Sequence, residues 1–206
     1  LEDTHTNMHR VCKAFKLEVK SKVEDTVQTD LIVKIEDSIL KIDKTLWNDC
    51  VGKHGVYDWE GLKFLEEAFS GNDLEEHNWA FHYLIIYDQD HNPVLSTFLT
   101  VGLWKDDMLA KVSASKIIEE ERKTNPYYLT SKVISIGSLF TEGNHLFIDD
   151  KHPLKHQALH SLMQSMETLE QRFNAKMVVL RDFSEHDPLH PYFQGQGFVR
   201  VQMPNS

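Results

Sequence analysis

Residues 187–203 read DPLHPYFQGQGFVRVQM, and they stand directly behind residues 175–183, AKMVVLRDF. The first stretch is a short turn-prone polar segment, a Gly-x-Gly-Phe and an alternating run. It predicts a short helix and then a strand. The second is a nearly continuous apolar run, as expected of a central strand covered on both faces. Ahead of both lies PLKHQALHSLMQSMETLEQRF, residues 153–173. Pro153 suits a first helical turn, and Ala158, Leu159, Leu162, Met163, Met166, Leu169 and Phe173 fall on one helical face. Helix, strand, short helix and strand therefore close the chain.

Working toward the N-terminus, residues 131–143, SKVISIGSLFTEG, read as a strand ended by Gly143. A polar helical segment precedes it, DDMLAKVSASKIIEEERKT. Two runs rich in β-branched and aromatic residues come before that, in NWAFHYLIIYDQDHNPVLSTFLTVGLW. The turn DQDHNP divides them, which predicts an antiparallel hairpin. YDWEGLKFLEEAF reads as a helix with Asp58 as N-cap and Trp59, Leu62, Leu65 and Phe69 on one face. KTLWNDCVGKHG is a helical turn, and residues 31–35 are a strand. A strand–helix–strand unit behind an antiparallel hairpin implies an α/β (α+β) domain. Its sheet is mixed, mostly antiparallel, and flanked by helices.

Residues 1–29 are highly charged and carry only a thin apolar stripe at Val11, Phe15 and Leu17. They read as an arm or linker, leaving residues 30–206 as the domain. The chain of 206 residues does not open with Met, so the expectation is one part of a longer polypeptide. A net charge of −10 disfavours nucleic acid and anionic membrane as partners. No apolar run reaches the length of a membrane span. Cys12 and Cys50 make neither a disulfide framework nor a zinc spacing, and reduced thiols in the cytoplasm are the simplest reading. Cys50 with His54 is a local pair without a third orienting group, so Cys50 reads as a small buried apolar residue. His152, His156 and His160 are spaced by four, but no Cys and no His-Glu-x-x-His joins them, so no metal is expected.

The element order, with Gly197-Phe198 opening the last strand, resembles the GNAT superfamily of acyl-CoA N-acyltransferases. The front end, KIEDSILKIDKTLWNDCV followed by WEGLKFLEEAF, looks like the branch of Fem-type aminoacyltransferases of peptidoglycan biosynthesis, a bacterial type. The resemblance spans roughly residues 30–203 and rests mainly on element order. It implies transfer of an acyl group from acyl-CoA, acetyl-CoA being the simplest, to the amine of a small molecule or peptide. An aminoacyl donor on tRNA and a non-catalytic docking module of a larger protein are the alternatives it leaves open.

The resemblance also implies roles for residues. The loop opening the long helix would cradle a pyrophosphate on backbone N–H groups. That assigns cofactor binding to Lys155, His156, Gln157 and Ala158. The sequence departs from the family's glycine pattern there, with Pro153 at the Arg/Gln position and His156 at the glycine position. Gly137 and Ser138 would offer backbone N–H groups to the developing oxyanion. Glu142 and His145, on the segment after the strand, would take the amine proton. Tyr192 would protonate the leaving thiolate, one residue from where the family spacing counted back from Gly197 falls, on Phe193.

Overall fold

The structure, a computed structural model, describes residues 11–12, 30–108 and 110–201. Its strands are β1 (Val11–Cys12), β2 (Ile32–Glu36), β3 (Ala80–Tyr87), β4 (Pro93–Lys105), β5 (Thr130–Ile136), β6 (Leu146–Ile148), β7 (Met177–Val179) and β8 (Arg181–Phe183). Its helices are α1 (Lys44–Cys50), α2 (Trp59–Ala68), α3 (Val112–Arg122), α4 (Lys155–Phe173) and α5 (His190–Gly195). The main sheet has six strands in the order β2-β3-β4-β5-β7, with β6 also pairing β4. All its pairings are antiparallel except β5 with β7. This is the mixed, mostly antiparallel sheet flanked by helices that the element order implies.

β3 and β4 form the hairpin at the centre. Asp88 closes its turn, accepting from the amides of Asp90 at 3.0 Å and Asn92 at 2.8 Å. Successive residues of a strand point to opposite faces. Leu84 and Ile86 of β3 therefore face α4, while Phe81, Tyr83 and Ile85 face α1 and α2. Both faces are covered, which is why AFHYLIIY is apolar without alternation.

α4 lays Ala158, Leu159, Leu162, Met166 and Leu169 against the sheet, with Met163 and Phe173 partly buried beside them. That is the face its 3.6-residue period dictates. Each such large side chain contributes about 2 kcal/mol by leaving water. α4 ends because Asn174 adopts the left-handed conformation, φ 49°. On the other face Trp47 and Leu62 are fully buried. Asp43 caps α1 by accepting from Leu46 N at 2.8 Å, and Asp58 caps α2 by accepting from Gly61 N at 2.7 Å. α3 is held mainly by Arg122. Its guanidinium donates to Asp107 and Glu119, each at 2.7 Å, and to the carbonyls of Tyr128 and Leu129, each at 2.8 Å.

Three expectations need correction. The run AKMVVLRDF is not one central strand. β7 is the last strand of the sheet, and the chain breaks at Leu180 and resumes as β8, which pairs with β1. Residues 198–201 form no strand; residues 202–206 lie outside the description. The strand expected over 131–143 ends at Ile136, and residues 137–145 leave the sheet before the chain returns as β6. Of the N-terminal arm, only Val11–Cys12 is described, as β1; the remaining residues of 1–29 lie outside the description, as does the His54 side chain. Among the described residues no helix is long and apolar enough to cross a membrane.

Candidate functional site

β5 and β7 run side by side only from Val133↔Met177 to Ser135↔Val179. Beyond that pair the two chains diverge. Gly137 turns toward β4, donating its N–H to Phe98 O at 3.0 Å. Arg181 and Asp182 turn toward β1. Both turns require uncommon backbone, φ 74° at Gly137 and φ 63° at Asp182. The result is a fork at the carboxyl ends of two parallel strands. In open α/β sheets that is where ligands bind, because neighbouring loops part there.

Residues 137–145 form one wall of the fork. β4 pairs with β5 through Thr100↔Ser135 and with β6 through Thr97↔Leu146, so the loop is an excursion in what would otherwise be a continuous strand. Four hydrogen bonds pin it. Tyr57 Oη donates to Asn144 O at 2.6 Å, and Thr97 Oγ1 to His145 O at 2.8 Å. Thr100 Oγ1 donates to Gly137 O at 2.7 Å. Arg181 Nη1 reaches across the fork to Ser138 O.

His145 lies at the bottom of this excursion, only 1 % exposed. Its ring packs at 4.6 Å on Tyr57 and edge-on at 5.6 Å to Phe98. Neither ring nitrogen has a hydrogen-bond partner among the described residues. Nδ1 stands 3.8 Å from Asp182 Oδ2, too long for a hydrogen bond. That carboxylate also lies 3.3 Å from Arg181 Nε, which offsets its charge. Burial and the nearby Arg181 therefore lower the His145 pKa to about 3, and the ring is neutral at physiological pH. Tyr57 is pushed up to about 12 by burial and by Asp182, so it stays a hydrogen-bond donor.

The fork brings Gly137, Ser138 and His145 together, with Glu142 exposed on the same excursion. It does not leave the two proposed oxyanion donors available. Gly137 N–H is engaged by Phe98 O, and Ser138 N–H by Thr141 Oγ1 at 2.9 Å. Nor is His145 an accessible base on a loop, since the excursion folds it inward. Tyr192, on α5, packs against the α4-side core. Its hydroxyl is buried without a hydrogen-bond partner among the described residues, and burial raises its pKa to about 12.

Lys155, His156, Gln157 and Ala158 stand apart, at the start of α4. His156 and Gln157 are exposed there. Ala158 is fully buried, its N–H bonded to Leu154 O at 2.9 Å, so it serves packing and not a cradle. Lys155 pairs with Asp150 at 3.6 Å, and His152 with Asp88 at 3.3 Å. Each is matched by a carboxylate, and the helix start carries no surplus of positive charge from Lys155. Among the described residues no group of three His, Cys, Asp or Glu could hold a metal ion.

Three residues of the fork were not singled out from the sequence: Tyr57, Arg181 and Asp182. The legible signal was Arg181-Asp182 itself, two charges inside a run otherwise read as a buried strand. A buried strand does not hold two adjacent charges unless something nearby needs them. No protein-family model matches the chain, and no curated protein matches it at a significant level.

Proposed function

We propose that the chain is an N-acyltransferase of GNAT-like architecture that moves an acyl group from acyl-CoA to an amine. The observation that carries this reading is the fork between β5 and β7, where a thioester could enter beside Gly137, Ser138 and Arg181. The amine attacks the thioester carbonyl, its proton passes to Glu142 directly or through water, and the C–S bond breaks to release thiolate. The resemblance assigns the donation to that thiolate to Tyr192, protonated at neutral pH with its hydroxyl buried in the α4-side core. Arg181 offers positive charge at the fork's mouth, where it would face the oxyanion. The acceptor is a small-molecule or peptide amine.

Two observations favour a second reading, a non-catalytic docking domain of a larger protein. Arg181 bridges the fork to Ser138 O, and the charges at the α4 start are internally matched. Calorimetric titration with coenzyme A, acetyl-CoA and a long-chain acyl-CoA separates the two. Micromolar binding, weakened by Arg181→Ala, is expected for the transferase. No heat with any of the three sinks the acyl-CoA reading and favours the docking domain.

A further inference from the structure

The outer edge of β2 ends the main sheet, and no described residue pairs with it. Proteins guard such an edge with charged side chains, a proline, a bulge or a covering segment, and of these β2 shows only Lys34 and Glu36 among the described residues. β2 runs in unbroken register with β3 from Ile32↔Tyr87 to Glu36↔Tyr83 and holds no proline. It exposes three large apolar side chains: Ile32 at 36 %, Val33 at 42 % and Ile35 at 42 %. Val33 and Ile35 lie opposite Ile86 and Leu84, on the α4 side of the sheet. Lys34 and Glu36 lie on the other side, 3.6 Å from each other.

The order Lys34-Ile35-Glu36 is its own complement when reversed. If two copies meet edge to edge about a two-fold axis through Ile35, Lys34 of each copy faces Glu36 of the other. Ile35 then faces Ile35, with Val33 of each copy as the diagonal neighbour. Opposite charges and apolar side chains directly across a strand pair both favour pairing, and like charges there oppose it. The chain as a whole carries −10, which repels a second copy, but this strand's own Lys34 and Glu36 cancel.

We propose that β2 is a self-association surface. Two copies of the chain pair their β2 strands antiparallel and extend the two sheets into one. With the axis at Ile35 only residues 34–36 of the two strands overlap, burying far less than the roughly 1,600 Å² of a standard interface, so the dimer is weak and depends on concentration. Backbone donors and acceptors along the edge, unpaired among the described residues, supply its directionality.

Sedimentation equilibrium of the full 206-residue chain, from micromolar to near-millimolar concentration, tests this. The expected result is a mass that rises from one chain toward two. Lys34→Glu alone puts like charges across both symmetric pairs and should weaken the dimer about tenfold. Adding Glu36→Lys restores the complement and should recover the original constant. Glu36→Lys alone is the less clean single change, since Glu36 also lies 3.8 Å from Lys41. Ile35→Lys should abolish the dimer. All these side chains are at least partly exposed, and matching circular dichroism spectra will show that the variants fold. A monomer at every concentration overturns the proposal. So does a dimer that Lys34→Glu and Ile35→Lys leave unchanged, or a double reversal no stronger than the single one.

Discussion

Replacing Gly137 by alanine tests the fork most directly. The backbone there has φ 74°, which costs an L-residue about 1 kcal/mol or more. A Cβ at that position would stand 2.8 Å from Cγ, Cδ2 and Cε1 of His145. The imidazole cannot step aside, because Tyr57 and Phe98 hold it at 4.6 Å and 5.6 Å. Overpacking of that kind costs about 1–3 kcal/mol. Together the two effects should remove about 2–5 kcal/mol, a large part of a domain's stability. Gly71 supplies the control. Its φ is 70°, but nothing lies within 4 Å of a Cβ added there. Gly71→Ala should therefore show the backbone cost alone. Urea unfolding followed by tryptophan fluorescence measures both. The difference between the two variants reports the crowding against His145, and it should shrink when His145→Ala is introduced alongside Gly137→Ala. Equal losses at Gly137 and Gly71 would refute the packing described at the fork.

Other perturbations follow from the same geometry. His145 has a folded pKa of about 3 against an ordinary 6.5, so the unfolded chain takes up its proton first. The stability this group contributes is whole above pH 6.5 and falls as pH drops toward 3, with about 2 kcal/mol gone at pH 5; urea midpoints of His145→Gln between pH 7 and 5 should lack that loss. Arg122→Met leaves Asp107 buried without its cation and should cost about 3 kcal/mol, read as faster hydrogen exchange of the α3 amides. Tyr192→Phe removes a buried hydroxyl with no partner among the described residues, so stability should hold or rise; if Tyr192 protonates the thiolate, turnover falls about 100-fold while coenzyme A affinity stays. Glu142→Gln should cut turnover with little change in donor affinity, and equal activity in both proteins would remove Glu142 from the mechanism.

The elements with one strong periodicity were legible in the sequence. α4 buries the face its apolar spacing marks, and Asp58 caps α2 as its position before an apolar run suggests. The hairpin was legible because Asp88 and Asn92 punctuate two strands rich in β-branched residues. What could not be read were the points where a strand is interrupted. Residues 137–145 leave β4 and rejoin it, and local pattern carries no trace of the cross-strand partners Ser135 and Leu146. β7 and β8 read as one strand because the break at Leu180 depends on β1, far away in the chain. The availability of the Gly137 and Ser138 amides was likewise invisible, since their acceptors are Phe98 and Thr141.

The fork is costly to fold, and that cost bears on what it is for. Two residues there hold left-handed backbone, one of them Asp182, for which such a conformation costs about 1–3 kcal/mol. Both nitrogens of His145 are buried there without hydrogen bonds among the described residues. Each such group costs about 1–3 kcal/mol relative to a partnered one. A fold selected only for stability could replace His145 by phenylalanine, in keeping with its neighbours Tyr57 and Phe98, and recover part of that. The surroundings instead hold the strain in place, through Tyr57 on Asn144, Arg181 on Ser138 and β1 on β8. Backbone strain held in place by surrounding contacts is the observation from which the proposed binding site at the fork is argued.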